Sequence, residues 1–205
     1  MRRTLTTLAA ATLLSSAAHA VPTQWTVASG GNGHWYEFFP EPVLAELAYV
    51  LAAGETYQGM TGYLATLTSA AENQFASLTV AQGNTAWLGA TDNGVEGQWV
   101  WRSGPEAGQT LTYLPWRSGE PNNCCGGENY LQTNYDYNTA LWNDHGGPGN
   151  LNAQYGYLVE FSAAVPEPAS MGLLAAGLAL LATAARRRTR CPLASALAET
   201  GAGLA

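Results

Sequence analysis

Hydrophobic and polar positions alternate differently in three parts of the chain. Residues 5–14 are mostly apolar and residues 169–185 carry no charge, whereas residues 21–165 mix short apolar runs with long polar ones. Within that middle part, Pro40 to Leu51 shows apolar residues at helical spacing with proline near the start. This predicts a helix ending before Gly54. Ser69 and Glu72 stand three apart ahead of an apolar segment, the capping-box spacing, and predict a second helix to about Val80. Short strands are expected at Tyr63–Leu67, Trp87–Gly89, Gln98–Trp101, Tyr130–Leu131 and Tyr155–Phe161. Long stretches rich in Gly, Asn and Pro separate them, above all 103–129 and 143–154, and loops of that length usually carry function. The order of helix, strand, helix, then strands and loops predicts an α+β fold with a single core.

Charge sharpens this picture. The chain has 205 residues, eight basic and fifteen acidic, with a formal charge of −7. All eight basic residues are arginine, and six of them lie at the ends: Arg2, Arg3, Arg186, Arg187, Arg188 and Arg190. Between residues 21 and 165, Arg102 and Arg117 face thirteen Asp and Glu, a net of −11. Such a surface repels phosphate backbones, so nucleic acid is excluded as a partner. All seven tryptophans and all ten tyrosines share this stretch, which gives it the apolar area to fold. A net of −11 suits a cation.

The ends read as addresses. Arg2 and Arg3, the apolar run, and Ala18-His19-Ala20 form a secretory signal peptide over 1–20, with cleavage after Ala20. Residues 169–185 span about 25 Å as a helix, the short end of a membrane crossing. The arginines that follow would hold the far side in the cytoplasm. Pro166, Glu167 and Pro168 precede this span. The ordered set of Pro-Glu-Pro, apolar helix and arginine cluster resembles the PEP-CTERM sorting tail of Gram-negative bacteria, over about 165–190. The resemblance implies a tail-processing membrane protease, an inner-membrane-tethered precursor, and a product at the cell surface or in the extracellular matrix alongside exopolysaccharide. Residues 191–205 continue past the point where such tails stop, and nothing in the sequence explains them.

The chemical centre lies in 120–144, which offers Glu120, Asn122, Asn123, Glu128, Asn129, Asn143 and Asp144 in polar loops. Calcium takes six to eight oxygens from such groups. Gly62-Tyr63-Leu64-Ala65-Thr66-Leu67-Thr68-Ser69, Glu72-Asn73, Trp87-Leu88-Gly89, Glu96-Gly97-Gln98-Trp99-Val100-Trp101, Gly119-Glu120-Pro121-Asn122 and Trp142-Asn143-Asp144 follow one another in order. Together they resemble the C-type lectin domain, from about Gly33 to Phe161, within a mature domain of 21–164. The resemblance implies two helices flanking small antiparallel sheets, with a long calcium-binding loop region. It places a principal calcium site at Glu120, Asn122, Glu128, Asn143 and Asp144, with a cis Glu120–Pro121 bond. Glu120, Asn122, Glu128 and Asn143 would also hold sugar hydroxyls, and Glu before Asn suits sugars of the mannose or glucose kind. A second calcium position matches Asp92 and Glu96, with the neutral Asn123 and Asn129 where the family has acids. The other eight acids read as solvated surface.

Two features depart from that pattern. The disulfide positions of animal members hold Tyr130 and Val159, and the domain has only the adjacent Cys124 and Cys125. A vicinal disulfide, an intermolecular bridge, free thiols, or zinc shared with His145 all remain open on sequence. Three more residues separate Glu128 from Asn143 than the resemblance leads one to expect. They could displace the last ligands. The readings are therefore a calcium-dependent carbohydrate-binding protein or, alternatively, a lectin-like scaffold that binds protein or biofilm matrix without calcium-dependent sugar recognition. Neither His34 nor His145 stands in a nucleophile–base pattern, so no enzyme is expected.

Overall fold

The computed structural model describes residues 20–163. The signal peptide, Pro166-Glu167-Pro168, the apolar span and the extension lie outside the described residues. In chain order the elements are β1 (Thr23–Gln24), β2 (Trp35–Val43), α1 (Ala45–Gly54), β3 (Thr56–Tyr57), β4 (Met60–Leu64) and α2 (Ala70–Gln74). After a π-helical continuation of α2 at Phe75–Val80 come β5 (Ala86–Thr91), β6 (Val100–Trp101), β7 (Tyr130–Thr133), β8 (Trp142–His145) and β9 (Tyr155–Phe161). Among the described residues no helix is long and apolar enough to cross a membrane.

β9 is the hub of the sheet. It pairs antiparallel with β2 and β4 and parallel with the start of β5, giving the order β1-β2-β9-β5-β7-β8. Six of its seven residues are buried, as expected for a strand covered on both faces. Alternation along β5 and β9 sorts their side chains into two apolar clusters. Leu88, Ala90 and Leu158 join Trp101, Leu131 and Trp142 in one, and Trp87, Tyr157, Val159 and Phe161 join α1 and Phe39 in the other. Tyr130 and Val159 are both buried in the second cluster, so packing fills the positions where disulfides were absent.

The expected helix at Pro40–Leu51 begins later than its prolines suggested. Pro40 and Pro42 lie in β2, and only Ala45–Gly54 is helical. A residue ahead of proline is pushed to extended geometry, which favours strand at Phe39 and Glu41. The β2–β9 ladder also shifts register between Phe39 and Val43, where prolines without N–H are tolerated. Ala45, Ala48 and Ala52 are the buried face of α1, and their small size lets it approach β4 closely. At Gly62 a Cβ would meet Val159 Cγ1 at 2.7 Å and the Ala52 carbonyl at 2.8 Å.

α2 starts as expected, with Ser69 Oγ accepting from the Glu72 N–H at 3.2 Å. The reciprocal half of the box is absent, because the Glu72 carboxylate accepts from Thr68 N–H and Oγ1 instead. That carboxylate belongs to a buried cluster that composition had assigned to the surface. Its members Glu72 and Glu160 are 3 and 1% exposed, and Glu37, likewise assigned to the surface, is 6% exposed. Tyr36 Oη donates to Glu72 Oε1 at 2.7 Å and lies 3.2 Å from Glu160 Oε1. Glu160 also meets His34 Nδ1 at 2.5 Å and accepts from Thr66 N–H at 3.0 Å. The hydrogen bond to Glu160 raises the His34 pKa against the opposing effect of burial, and the charges of Glu160, Glu72 and Glu106 add to the rise. Burial raises the Glu160 carboxyl, which the His34 hydrogen bond partly offsets.

Gly62→Ala should overpack this contact and destabilise the domain by about 1–3 kcal/mol in urea denaturation; an unchanged midpoint would contradict the close approach of α1. His34 binds its proton more tightly folded than unfolded. Its contribution is complete below the unfolded value of about 6.5 and is lost as pH rises through the folded-state value. In metal-free buffer the melting temperature should fall as pH rises above the unfolded value of about 6.5, and His34→Gln should flatten that slope.

Candidate metal centre

The strand that carries the last two predicted ligands was read as loop; it is β8, paired with β7. Leu131 stands opposite Asp144 and Gln132 opposite Asn143. Trp142 fixes this register. It is fully buried, its Nε1 donates to Asn73 Oδ1 at 3.2 Å, and Trp101, Tyr113 and Trp116 pack edge-on around it at 5.4–6.1 Å. Its own N–H donates to Pro115 O at 2.9 Å, and its carbonyl accepts from Arg117 N–H at 2.8 Å. The long loop is thereby stitched to the outer edge of β8, and Glu120 follows three residues later.

Asp144, 1% exposed, holds that loop in place. Its Oδ1 accepts from Asn122 N–H at 3.1 Å and its Oδ2 from Asn123 N–H at 2.8 Å. The Glu120–Pro121 bond is cis, as the resemblance implied. Asn143 is buried and its Nδ2 donates to the Asp144 carbonyl. Glu128, 4% exposed, has donors on both oxygens: His145 Nδ1 at 2.7 Å and Asn150 Nδ2 at 2.6 Å on Oε1, and Cys124 N–H at 3.1 Å on Oε2. The Glu128 N–H in turn donates to Asn123 Oδ1 at 2.8 Å.

Glu120 is different. Its side chain is 5% exposed, Oε1 lies 3.4 Å from Arg117 Nη1, and the buried Oε2 has no hydrogen-bond partner among the described residues. Burial raises its pKa, and the charge and contact of Asp144 raise it further, with Glu128 adding and Arg117 opposing. Glu120 feels the charges of Asp144 and Glu128, and the one guanidinium that reaches it, Arg117, also pairs with Asp136. Charge is left over, and a carboxylate oxygen is buried without a donor. An all-oxygen set of three carboxylates and two amides fits a hard divalent cation.

Of the second predicted set, the structure brings Asp92, Glu96 and Asn129 near one another. Asp92 is 2% exposed; Oδ2 accepts from Gly97 N–H at 2.9 Å, and Oδ1 is buried without a partner among the described residues. Its pKa is raised by burial, against the Gly97 hydrogen bond, and that of exposed Glu96 is raised chiefly by desolvation and by Asp92. Asn129 ties this loop to the first site: its carbonyl accepts from Thr91 Oγ1 at 2.6 Å, and its Nδ2 donates to Asn93 Oδ1 at 3.0 Å. Asn123 spends its Oδ1 on Glu128.

The cysteine alternatives resolve to a vicinal disulfide, Cys124–Cys125, in an exposed turn between Asn122 and Glu128. The sulfurs bond each other, and His145 is turned to Glu128, so a Cys–Cys–His zinc set is not assembled. The extra residues before Asn143 sit in the 134–141 loop. Buried Asn134 ties that loop down by accepting from Ala140 N–H at 2.7 Å and donating to Ser77 O at 2.9 Å. Asn143 and Asp144 therefore keep their strand register. Sequence reasoning missed Arg117 and Asn150, and took His145 only as a zinc ligand. Asn150 and His145 reach Glu128 across 22 and 17 positions, which no local pattern announces, whereas Arg117 reaches Glu120 across 3, a spacing outside any helix.

Comparison with known proteins agrees with this architecture. The Lectin C-type domain family matches residues 51–146, and the PEP-CTERM protein-sorting motif matches residues 164–188. Lectin BRA-3 of Megabalanus rosa is 37% identical over 124 residues, covering 56% of this chain and 69% of that one. Halomucin of Haloquadratum walsbyi is 37% identical over 139 residues, or 63% of this chain, but the chain spans only 1% of halomucin. The crystal structure of the C-type lectin CEL-I from Cucumaria echinata superposes with a TM-score of 0.51 at 25% identity, over 64% of this chain and 92% of that one. The chain belongs to the C-type lectin domain family.

Asp144→Asn would put an amide donor against a backbone N–H. The Asn122 and Asn123 amides should then exchange with solvent about tenfold faster or more in metal-free buffer, as expected for losing a charged hydrogen bond; unchanged protection would show that Asp144 does not hold the loop.

Proposed function

We propose that this domain binds carbohydrate in a calcium-dependent way through Glu120, Asn122, Glu128, Asn143 and Asp144. The observation that carries the reading is the buried, unpaired Glu120 Oε2 beside Asp144, within a donor set made of oxygen alone. Membership of the C-type lectin family and the lectin relatives support it. Calcium held there would supply open coordination positions for two neighbouring sugar hydroxyls. The chain's own groups do the rest. Carboxylates accept the hydroxyl protons, and the amides of Asn122 and Asn143 donate to the hydroxyl oxygens. The order Glu120 then Asn122 favours mannose- or glucose-type sugars. Affinity for one sugar at an open site is weak, so multivalent polysaccharide, including exopolysaccharide, is the fitting target. Asp92, Glu96, Asn123 and Asn129 form a weaker second calcium position, with fewer formal charges. The sorting motif supports export and processing of the tail by a membrane protease, which would leave the lectin domain at the cell surface or in the matrix.

One observation favours the scaffold reading: Glu128 already has protein donors on both oxygens, which a metal ligand would have to share or give up. Calorimetry separates the two. Calcium should bind with measurable heat, and glycan-array signal should vanish on adding a chelator; absence of calcium binding would favour the scaffold. Asn143→Ala should lower sugar binding at least tenfold while the domain stays folded, roughly the effect of leaving a charged partner unpaired.

A further inference from the structure

The turn that joins Asn122 to Glu128 holds the only cysteines of residues 21–164. Cys124 and Cys125 are bonded to each other, and both are exposed. Their turn is tied to the acids on either side. Asn123 N–H donates to Asp144 Oδ2 at 2.8 Å, and Cys124 N–H donates to Glu128 Oε2 at 3.1 Å. Glu128 N–H donates back to Asn123 Oδ1 at 2.8 Å. The 147–150 segment packs on the same turn. Gly149 N–H donates to Gly127 O at 2.8 Å, and a Cβ at Gly149 would meet Cys124 O at 2.8 Å. Asn150 on that segment donates to Glu128 Oε1 at 2.6 Å.

The backbone here is one that cysteine does not choose by itself. Asn123 has a φ of +47° and Cys125 a φ of +64°. Asn tolerates this left-handed region, but an ordinary side chain such as that of Cys is uncommon there. A covalent link between neighbouring residues removes the alternatives, so the bond and the hydrogen bonds hold the turn together.

We propose that the Cys124–Cys125 bond is a redox-modification site that sets the affinity of the adjacent metal centre, with a dithiol as the reactant. This rests on the proposed function above, because the effect is read as calcium affinity. One thiolate of the dithiol attacks an exposed sulfur and forms a mixed disulfide. Its second thiolate displaces the protein sulfur, so the dithiol leaves as a cyclic disulfide, and two electrons and two protons stay on Cys124 and Cys125 as thiols. With the bond open, Cys125 is free to leave the left-handed region. The amides of Asn123 and Cys124 then lose their fixed places beside Asp144 and Glu128. Asn122 and Glu128 flank the turn, so a cation must gather them from a looser loop, and the lost preorganisation weakens binding.

The test uses the whole chain in detergent, carrying Cys191→Ser so that one bond alone can be reduced. As isolated in air it should show no free thiol, and after treatment with dithiothreitol it should show two. Calcium affinity, measured by calorimetry after anaerobic removal of the dithiol, should fall about tenfold on reduction, the scale of freeing one residue's backbone. Reoxidation should restore it. The Cys124→Ser, Cys125→Ser double variant should hold the reduced value with or without the dithiol. By linkage, saturating calcium should favour the disulfide over the dithiol form by the same factor. In metal-free buffer the Asn123 and Cys124 amides should exchange faster once the bond is reduced. Free thiols in the air-isolated chain, or equal calcium affinity in the oxidised and reduced forms, overturns the redox site while leaving the metal-centre reading intact. Failure of the oxidised chain to bind calcium overturns the redox site together with that reading.

Discussion

The burial of Trp142 is the constraint on which the functional half of the molecule depends. One side chain with a single polar atom joins α2 through Asn73, the long loop through Trp116 and the Pro115 and Arg117 backbone, and the core through Trp101 and Tyr113. Because its indole has one buried orientation that pairs Nε1, the strand it begins has one register. Asn143 and Asp144 follow directly, so apolar packing sets their register.

The domain buries carboxylates in two clusters and treats them in opposite ways. Around Glu72 and Glu160 every oxygen has a donor, from Tyr36, Asn32, His34, Thr66 or Thr68. That cluster is satisfied and ties α2 to β9 and β2. Around Glu120 and Asp144 the donors run out, and a buried oxygen is left alone. Unpaired buried charge is unfavourable unless a partner arrives, which is why the second cluster is the one proposed above as a ligand site. Donor accounting separates structure from function here more sharply than charge counting does.

The legible parts of the sequence were those where one local rule dominates. The short apolar run at Tyr155–Phe161 and the cap at Ser69 both led to correct elements. The misreadings share a cause, which is competition between a local signal and a distant strand. Pro40 and Pro42 resembled a helix start, yet pairing with β9 drew them into β2. Asn143 to His145 resembled loop, yet β7 supplied a partner. Glu72 and Glu160, counted as surface, are buried because Tyr36, His34 and the Thr66 amide, remote in sequence from one or both, meet them.

What the sequence determined by itself was the set of chemical groups and their order: an acidic, aromatic domain, a run of oxygen-bearing residues over 120–144, and a sorting motif at 164–188. The tertiary structure alone decided which of those groups keep spare lone pairs. Glu120 and Glu128 look equivalent along the chain, but Glu128 is met by His145, Asn150 and the Cys124 amide, while Glu120 faces Asp144 with one oxygen unpaired. Folding alone likewise turned three surplus residues into a looped turn beside the site instead of a displaced strand. The reason is that hydrogen-bond satisfaction is a property of neighbours in space, and sequence spacing constrains only neighbours along the chain.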